Sequence, residues 1–442
     1  MADGEEPLPV VAVTAAVGAV IMLVVLLCNV LKKDKKDTEE AAGEEEPPQD
    51  TKQDASNKAK KQKAIQRPKK ESRVAFTHPW LSTSLKGHSA PILGMDFSPN
   101  GKYLASCSDD RVILIWSVKE FSQKEHKSIR VNVELDHSTQ IKFSPDSKAF
   151  ITSLFVSNTV RVFKIGKKPD GSPGNVTAVL DFPKKHDADI LSIGISSSGK
   201  FIMTCYKDTT MTIWDLKGEV LATIDTHQMT NAHGAVSPCG RFVASSGFTP
   251  DVKVWEVCFD KSGNFREVTR AFELKGHSSG VYSFCFNSDS RRMATVSKDG
   301  TWKLWDTDIE YQKNQDPYLL KTGQLGFTTP SLVSLSPDGR TVAVAHGNSL
   351  QIFNGITGVL GKAIEDIHHE PIKALGFDTN NKYLVTTGDK HIHVFHNVIG
   401  YQATVDDLVE KKQKAKNSSL KERIQEQIDT AKTALKSLGL ES

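Results

Sequence analysis

Gly87–Trp116, with the sequence GHSAPILGMDFSPNGKYLASCSDDRVILIW, contains the pattern that decides the fold. Three short runs within it, Ile92–Phe97, Tyr103–Cys107 and Val112–Trp116, show the alternation or the apolar, β-branched content that is typical of β-strands. The first two runs are joined by Ser98–Gly101 (SPNG). Proline presets the φ angle of a turn and glycine accepts the positive φ that closes it, so this tetrapeptide predicts a tight turn.

The same pattern occurs seven times between Lys86 and Asn397. In each unit a turn rich in Ser, Pro, Asp or Asn is followed, 17 to 19 residues later, by an aromatic residue that ends an alternating run. Successive aromatic residues are 41 to 51 residues apart, so the core of the unit is constant and its connection varies. Seven units of about 46 residues predict an all-β, seven-bladed propeller with four strands in each blade. The aromatic residues are Trp116, Phe163, Trp214, Trp255, Trp305, Phe353 and Phe395.

Several of these units resemble WD40 repeats. Gly87-His88 and Gly276-His277 each precede a closing Trp by about 30 residues, and Trp214 and Trp305 are each followed by Asp. The resemblance covers roughly residues 74–400. It implies a WD40-type propeller in which an N-terminal strand, near residues 79–85, completes the last blade.

The resemblance also implies a buried hydrogen-bond network of His, Ser or Thr, Asp and Trp inside well-formed blades. In the third blade only two of these residues keep the family spacing. The implied members are His88, Ser106 or Ser108, Asp110 and Trp116 in the first blade, Asp208 and Trp214 in the third, and His277, Thr295 or Ser297, Asp299 and Trp305 in the fifth.

Other blades depart from this pattern. Ser157 and Thr249 stand where the second and fourth blades would have Asp, and Phe163 and Phe353 lack the indole N–H of Trp. A polar network stabilises a blade only when every member is satisfied. We therefore expect weaker networks in the second, fourth and sixth blades. In the seventh blade, His368 or His369 would take the place of the family His, ahead of Asp389 and Phe395.

Residues 8–31 contain no Asp, Glu, Lys or Arg and are long enough to cross a bilayer. Basic residues follow this segment directly and none precedes it, so we expect an uncleaved anchor with everything after it in the cytosol. Such an anchor is inserted at the endoplasmic reticulum membrane, where we expect the protein to reside. The anchor includes Leu8, Val10, Val17, Ile21, Leu23, Leu26 and Leu31, and the basic residues are Lys32, Lys33, Lys35 and Lys36.

A linker of two opposite charges follows the anchor. Residues 37–50 contain seven acidic residues and no base, and residues 51–73 contain nine bases and two acids, so the net charge of +3 conceals both blocks. The pattern predicts a disordered spacer. Alternatively, residues 52–73 contact the phosphates of anionic lipid or RNA, through Lys60, Lys61, Lys63, Arg67, Lys69 and Lys70.

Motifs for catalysis or metal binding are weak. Gly276–Gly280 fits G-x-S-x-G, but the alternating run Val281–Phe286 follows it, and a nucleophile elbow requires a helix there. His391 and His393 share a strand face but lack the further ligands that zinc requires. We therefore expect no enzyme activity, no cofactor, no metal and no small-molecule substrate.

Loops between the second and third strands of a blade lie on one face of a propeller. Four of these loops carry a base, and together the bases could receive an acidic or phosphorylated partner segment, or RNA. Exposed bases also occur without any function. The four residues are Arg111, Lys207, Lys298 and Lys390.

The tail, residues 401–442, changes to helical periodicity. Thr404-x-x-Asp407 and Ser419-x-x-Glu422 predict the starts of two helices, and Gly439 predicts the end of the second. The second helix has an apolar stripe that either packs on the propeller or binds a partner or a second copy. The stripe consists of Leu420, Ile424, Ile428, Ala431, Leu435 and Leu438.

The sequence thus predicts four parts: an anchor (residues 1–31), a linker (32–73), a propeller (74–400) and a helical tail (401–442). The function that this organisation favours is a non-enzymatic scaffold that presents protein-binding loops at a membrane. A protein kinase of stress signalling or the translation machinery would be a plausible partner there. The alternative is an RNA- or ribosome-tethering protein that uses the basic linker and the four loop bases.

Overall fold

The computed structural model describes residues 76–169 and 172–439. Their 28 strands form seven four-stranded antiparallel sheets, which are the blades of a propeller. Strands β1–β14 are Leu81–Lys86, Ile92–Phe97, Tyr103–Ser108, Val112–Ser117, Ser128–Asn132, Ser138–Phe143, Ala149–Leu154, Thr159–Lys167, Pro173–Asp181, Ile190–Ile195, Ile202–Tyr206, Thr210–Trp214, Val220–Asp225 and Asn231–Val236. Strands β15–β28 are Phe242–Gly247, Asp251–Phe259, Phe265–Lys275, Val281–Phe286, Arg292–Ser297, Thr301–Asp306, Tyr318–Gln324, Ser331–Leu335, Thr341–His346, Ser349–Asn354, Leu360–Ile364, Ala374–Phe377, Tyr383–Thr387 and His391–His396. Two short 3₁₀ helices are Val118–Ser122 and Tyr311–Lys313.

Blades 1 to 6 each consist of four consecutive strands, beginning with β2–β5 and ending with β22–β25. Blade 7 contains β26–β28 and takes its outer strand from β1. The register of this closing pair runs from Leu81 opposite Phe395 to Lys86 opposite His391. Inside it, Ser84 Oγ lies 2.8 Å from His393 Nδ1. The predicted seven-bladed propeller, closed by an N-terminal strand, is confirmed.

The hydrophobic core lies between the blades. Seven clusters of buried residues each combine side chains from two adjacent blades. Between blades 1 and 2, for example, Ile115 packs in one cluster with Phe150 and Phe163, whose rings stack at 5.1 Å. Full burial of one large apolar side chain stabilises a fold by about 1.5 to 3 kcal/mol. Each blade is therefore held mainly by its two neighbours.

The turns between the first and second strands of the blades form one face of the propeller, which we call the turn face. In six of the seven turns the side chain of the first residue accepts the backbone N–H five residues later; for example, the hydroxyl of Ser98 accepts the amide N–H of Tyr103 at 2.9 Å. The turns also bind one another, since Ser196 Oγ donates to the carbonyl of Gly240 at 2.9 Å. Gly240 has a φ of +73°, and a Cβ there would lie 2.5 Å from Ser197 Oγ. The predicted turns are confirmed.

Two helices follow blade 7: α1 is Val398–Lys414 and α2 is Ser418–Ser437. The predicted helix start at Thr404 is wrong. Asn397 caps α1 by accepting the N–H of Gly400, and Thr404 lies inside the helix. The start is set earlier because Val398 and Ile399 are buried as soon as the chain leaves the last strand.

The predicted start of α2 at Ser419 is also wrong. Asn417, and not Ser419, accepts the first free backbone N–H of this helix. At the other end, Gly439 has a φ of +67°, the left-handed conformation that ends a helix, as predicted.

The helical tail packs on its own propeller. The carboxylate of Asp407 accepts hydrogen bonds from Arg340, 2.7 Å to Nη2, and Asp406 accepts from the side chain of Asn354 at 2.7 Å. Ile399 enters the cluster between blades 6 and 7. Helix α2 then packs on α1, where Ile424 and Ile428 bury against the first helix. Leu420, at the start of the predicted stripe, stays exposed.

Neither helix in the described part of the chain is long and apolar enough to span a membrane. The predicted anchor (residues 8–31), the basic flank (32–36) and the charged linker lie outside the described residues.

We predict that Ile399→Ala lowers the free energy of unfolding by about 2 to 5 kcal/mol, because the side chain is buried and leaves a cavity. The matched control Leu420→Ala removes an exposed side chain of the same tail and should change it by less than about 0.5 kcal/mol. Urea unfolding measures both. Equal effects would contradict the docking of the tail on the propeller.

Candidate functional site

The face opposite the turns, which we call the loop face, is built from two kinds of segment. The loops between the second and third strands of each blade meet the connections that enter each blade. Backbone hydrogen bonds join them: the N–H of Phe155 donates to the carbonyl of His137 at 3.0 Å, and Lys207 donates to Asp189 at 2.9 Å. The loops are therefore held by the connections beside them.

In blade 1 a chain of hydrogen bonds runs from the loop face into the sheet. The indole N–H of Trp116 donates to Ser106 Oγ at 2.9 Å, and that oxygen lies 2.8 Å from His88 Nε2. His88 Nδ1 lies 3.0 Å from Asp110 Oδ2. Because an ionised carboxylate only accepts hydrogen bonds, Nδ1 carries the imidazole proton and Nε2 accepts from the serine.

Blade 5 repeats this arrangement. Trp305 donates to Thr295 Oγ1 at 3.0 Å, His277 Nε2 lies 2.7 Å from the same oxygen, and His277 Nδ1 lies 2.9 Å from Asp299. Of the two alternatives left by the sequence for each blade, the hydroxyl in the network is thus Ser106 and Thr295. Ser108 and Ser297 instead donate to backbone carbonyls of the entering connections.

Blades 7 and 3 contain parts of the network. In blade 7, His368, and not His369, takes the imidazole position, 2.9 Å from Thr386 Oγ1 and 3.3 Å from Asp389. In blade 3 the structure places the two predicted residues in separate pairs: Asp208 lies 3.2 Å from His186, and Trp214 donates to Thr204 Oγ1 at 2.9 Å.

Burial sets the protonation of these groups. It lowers the pKa of His277 and outweighs the attraction of Asp299, so the imidazole is neutral at neutral pH. Burial would raise the pKa of Asp299, but hydrogen bonds from the Thr301 hydroxyl, the Ser278 amide and His277 outweigh it and bring the pKa to about 2. The same pair in blade 1 shows both pKa values lowered for the same reasons.

Blades 2 and 4 use other buried residues to hold the entering connection against the blade. In blade 2 the carboxylate comes from the connection: Asp136 accepts the N–H groups of Val156 and Ser157 at 2.9 and 2.8 Å. In blade 4 the side-chain amide of Gln228 donates to the carbonyl of Ser245 at 3.2 Å and accepts from the Thr249 hydroxyl. Both Asp136 and Gln228 are buried.

Asp136 and Gln228 are not among the residues predicted from the sequence, because neither is a histidine. A usable signal was present: each precedes the closing aromatic residue of its blade by 27 residues, and the three network histidines precede theirs by 27 or 28.

Next to these two buried groups, the loop face exposes large apolar side chains, which we call the apolar tips. Leu135 and Met229 have positive φ angles of 59° and 62°, which turn them away from the core. The ring of Phe155 stacks on His137 at 4.7 Å. The exposed fractions are 92% for Leu135, 61% for Phe155, 72% for Val156, 67% for Met229 and 64% for Phe248.

Comparison with known proteins agrees with this architecture. The model of the WD domain, G-beta repeat, matches residues 80–117, 176–215, 268–306 and 362–396. The chain is 54% identical over 391 residues to human transducin beta-like protein 2, covering 87% of this chain and 88% of the relative. It is also 54% identical over 385 residues to the mouse protein of the same name, covering 86% and 87%.

The chain belongs to the WD40-repeat family of transducin beta-like protein 2. The four matched ranges contain the three inner strands of blades 1, 3, 5 and 7 of this WD40 protein. Blades 2, 4 and 6, where the sequence departs from the repeat pattern, lie largely outside them. Two of these blades, 2 and 4, carry the apolar tips.

The four predicted bases, Arg111, Lys207, Lys298 and Lys390, are all exposed on the loop face of the WD40 protein. Each is the sequence neighbour of an aspartate at the same blade position: Asp110, Asp208, Asp299 and Asp389. Three of these aspartates, Asp110, Asp299 and Asp389, belong to the hydrogen-bond networks of blades 1, 5 and 7.

The residues of the weak catalytic and metal-binding motifs have structural roles. The backbone N–H of Ser278 donates to Asp299 at 3.0 Å, and β18 follows it as a strand. His391 lies 3.1 Å from Asp389, and His393 contacts Ser84 and has a pKa lowered by burial to about 3. Within residues 76–169 and 172–439, no group of three or more His, Cys, Asp or Glu side chains has the geometry of a metal site.

We predict that Trp305→Phe lowers the free energy of unfolding by about 1 kcal/mol more than Trp302→Phe does, because only Trp305 loses a hydrogen bond. Trp302 is the matched control: it is equally buried, and its indole N–H has no partner among the described residues. Chemical denaturation of both variants gives the difference. A difference of zero would show that the network hydrogen bond contributes no net stability.

We predict that the thermal midpoint falls on acidification in two steps. Folded His277 has a lowered pKa, so below about pH 6.5 the unfolded chain binds the extra proton and stability decreases. Asp299 adds a further loss between about pH 4 and pH 2, as its carboxylate is protonated. His277→Gln should flatten the slope of the thermal midpoint between pH 7 and pH 5, whereas His369→Gln on the surface should keep it. An unchanged slope in His277→Gln would contradict the neutral imidazole.

Proposed function

We propose that this WD40 protein is a non-enzymatic scaffold, anchored by residues 8–31 in the endoplasmic reticulum membrane, whose loop face binds protein partners in the cytosol. The observation that carries the proposal is the set of apolar tips on blades 2 and 4. Single exposed apolar residues are common on protein surfaces, but grouped ones mark interaction sites.

The apolar tips sit on fixed backbone. Val156 donates its backbone N–H to Asp136 at 2.9 Å, and Phe248 donates its N–H to the carbonyl of Thr230 at 3.1 Å beside buried Gln228. A partner therefore meets side chains whose backbone is already ordered, which reduces the entropy lost on binding. The four exposed bases of the same face supply polar contacts and favour one orientation of the partner.

The proposed anchor adds location to this surface. Confining the loop face to one membrane raises its effective concentration for partners at that membrane. A protein kinase of stress signalling and the translation machinery are the partner classes that this location favours.

A second function, tethering of RNA or ribosomes, is favoured by the nine bases of residues 51–73. The loop face gives it less support, because each of its four predicted bases adjoins an aspartate. RNA binding through phosphates weakens steeply as salt rises, with a slope near the number of phosphates neutralised.

The proposal predicts that the double variant Phe155→Asp, Phe248→Asp of the full chain labels its cytosolic protein neighbours much less in a proximity-labelling experiment. The labelling of these neighbours should fall about tenfold, as expected when central apolar contacts are removed. The matched control Leu216→Asp, at an exposed position in the connection between the third and fourth strands of blade 3, should keep the wild-type set. Equal labelling by both variants would contradict binding at the apolar tips.

The salt dependence of RNA binding by the full chain distinguishes the two functions. RNA affinity is measured between 50 and 200 mM salt. An RNA tether should lose affinity on the order of 10³-fold or more over this range, whereas a protein scaffold should show no such steep loss.

A further inference from the structure

The outer strand of blade 5, β21 (Tyr318–Gln324), pairs with β20 on one side only. Within the described residues, no strand or helix pairs with its other edge. Every second backbone N–H and C=O of the strand therefore points outward, where it is available to another chain.

The side chains at this edge are apolar and exposed. Tyr318, Leu319 and Leu320 have exposed fractions of 54%, 48% and 38%. The neighbouring blade adds Val359 and Leu360, exposed by 63% and 44%. The two groups lie on neighbouring outer strands, and the side chain of Lys321 on β21 lies beside Gly358, with its Cδ 3.7 Å from where a glycine Cβ would stand. We call these five residues the rim patch.

The outer strand of blade 4, β17, presents charges of both signs along its length, which is how natural proteins prevent edge pairing. Strand β21 has one formal charge, that of Lys321. Three exposed apolar residues precede Lys321, and the polar end of the strand follows it. The charges on β17 are Arg266, Glu267, Arg270, Glu273 and Lys275.

We propose that the β21 edge binds an extended segment of a partner protein by strand addition, and that this segment is apolar with an acidic residue opposite Lys321. The backbone groups of β21 supply the hydrogen bonds, and the rim patch covers the apolar side chains of the added strand. The acidic residue satisfies the one charge of the edge. This surface is separate from the loop face and does not depend on the function proposed for it.

A second copy of the chain fits the edge poorly. Lys321 is the central residue of β21, so antiparallel pairing of two β21 strands about their midpoint would place two lysines opposite each other. Like charges directly opposite destabilise a strand pair. The charge of the edge therefore selects a different partner strand.

The test uses the full-length chain in detergent and three labelled seven-residue peptides of alternating Val and Thr. The first has a central Glu, the second has a central Lys, and the third is the Glu peptide with alternate amides N-methylated, which removes the donors of one strand edge. Fluorescence anisotropy measures binding. We expect the Glu peptide to bind about tenfold more tightly than the Lys peptide, and the N-methylated peptide not to bind.

Three variants locate the binding. Lys321→Glu should reverse the preference, so that the Lys peptide binds more tightly, a gain that misfolding cannot produce. Leu319→Asp should weaken both peptides. Val179→Asp, at an exposed position on the outer strand of blade 2 (β9), is the matched control and should change nothing. The double variant Phe155→Asp, Phe248→Asp should also bind the Glu peptide normally.

Binding of the N-methylated peptide, an unchanged preference in Lys321→Glu, or no binding of any peptide would overturn the proposal. A dimer of the full-length chain that dissociates in Leu319→Asp would also overturn it, because the occupant would then be a second copy. The apolar tips and the rim patch are distinguished by their variants, so the failure of one proposal leaves the other standing.

Discussion

The packing of each blade against its two neighbours is the constraint on which the rest of this structure depends. A four-stranded sheet of such short strands exposes both faces, and the apolar side chains on them are buried only when the ring is complete. Ile115 of blade 1 and Trp302 of blade 5 are both covered in this way, the latter with its ring centroid 5.1 Å from that of Phe353 in blade 6. The polar parts of the blades are free to differ because this apolar packing is shared by all seven.

At the loop face, the polar residues that hold the loops differ from blade to blade. A connection and a loop meet above every blade, and their backbone N–H groups need acceptors. Blades 1, 5 and 7 meet this need with an aspartate that also binds an imidazole, and blade 2 with Asp136 alone. In blade 4, Gln228 instead donates its side-chain amide to the backbone carbonyl of Ser245. The physical requirement is the satisfied backbone and not any one residue type. In blades 2 and 4, the loop-face residues beside these buried groups are apolar and exposed.

Much of this was predictable from the sequence, and the failures have physical causes. Regular spacing of turns and aromatic residues fixed the number of blades, because each turn has local chemistry that tolerates few residues. The start of α1 was not predictable, since the burial of Val398 and Ile399 against the propeller overrides the local cap at Thr404. Similarly, Tyr318-Leu319-Leu320 has the pattern of a core strand, and only the strand order shows that it lies at an edge.

The closure of blade 7 also orders events during synthesis. Ser84 and His393, which meet inside the closing strand pair, are 309 residues apart in the chain. At about 5 to 20 residues per second, a ribosome takes roughly 15 to 60 seconds to make that span. For that time the first strand of the propeller exists without the partner it will finally have, while six blades form after it. Nascent Leu81–Lys86 must therefore be kept from pairing with other chains until the last blade emerges, and its protection in that interval belongs to the cell and not to the fold.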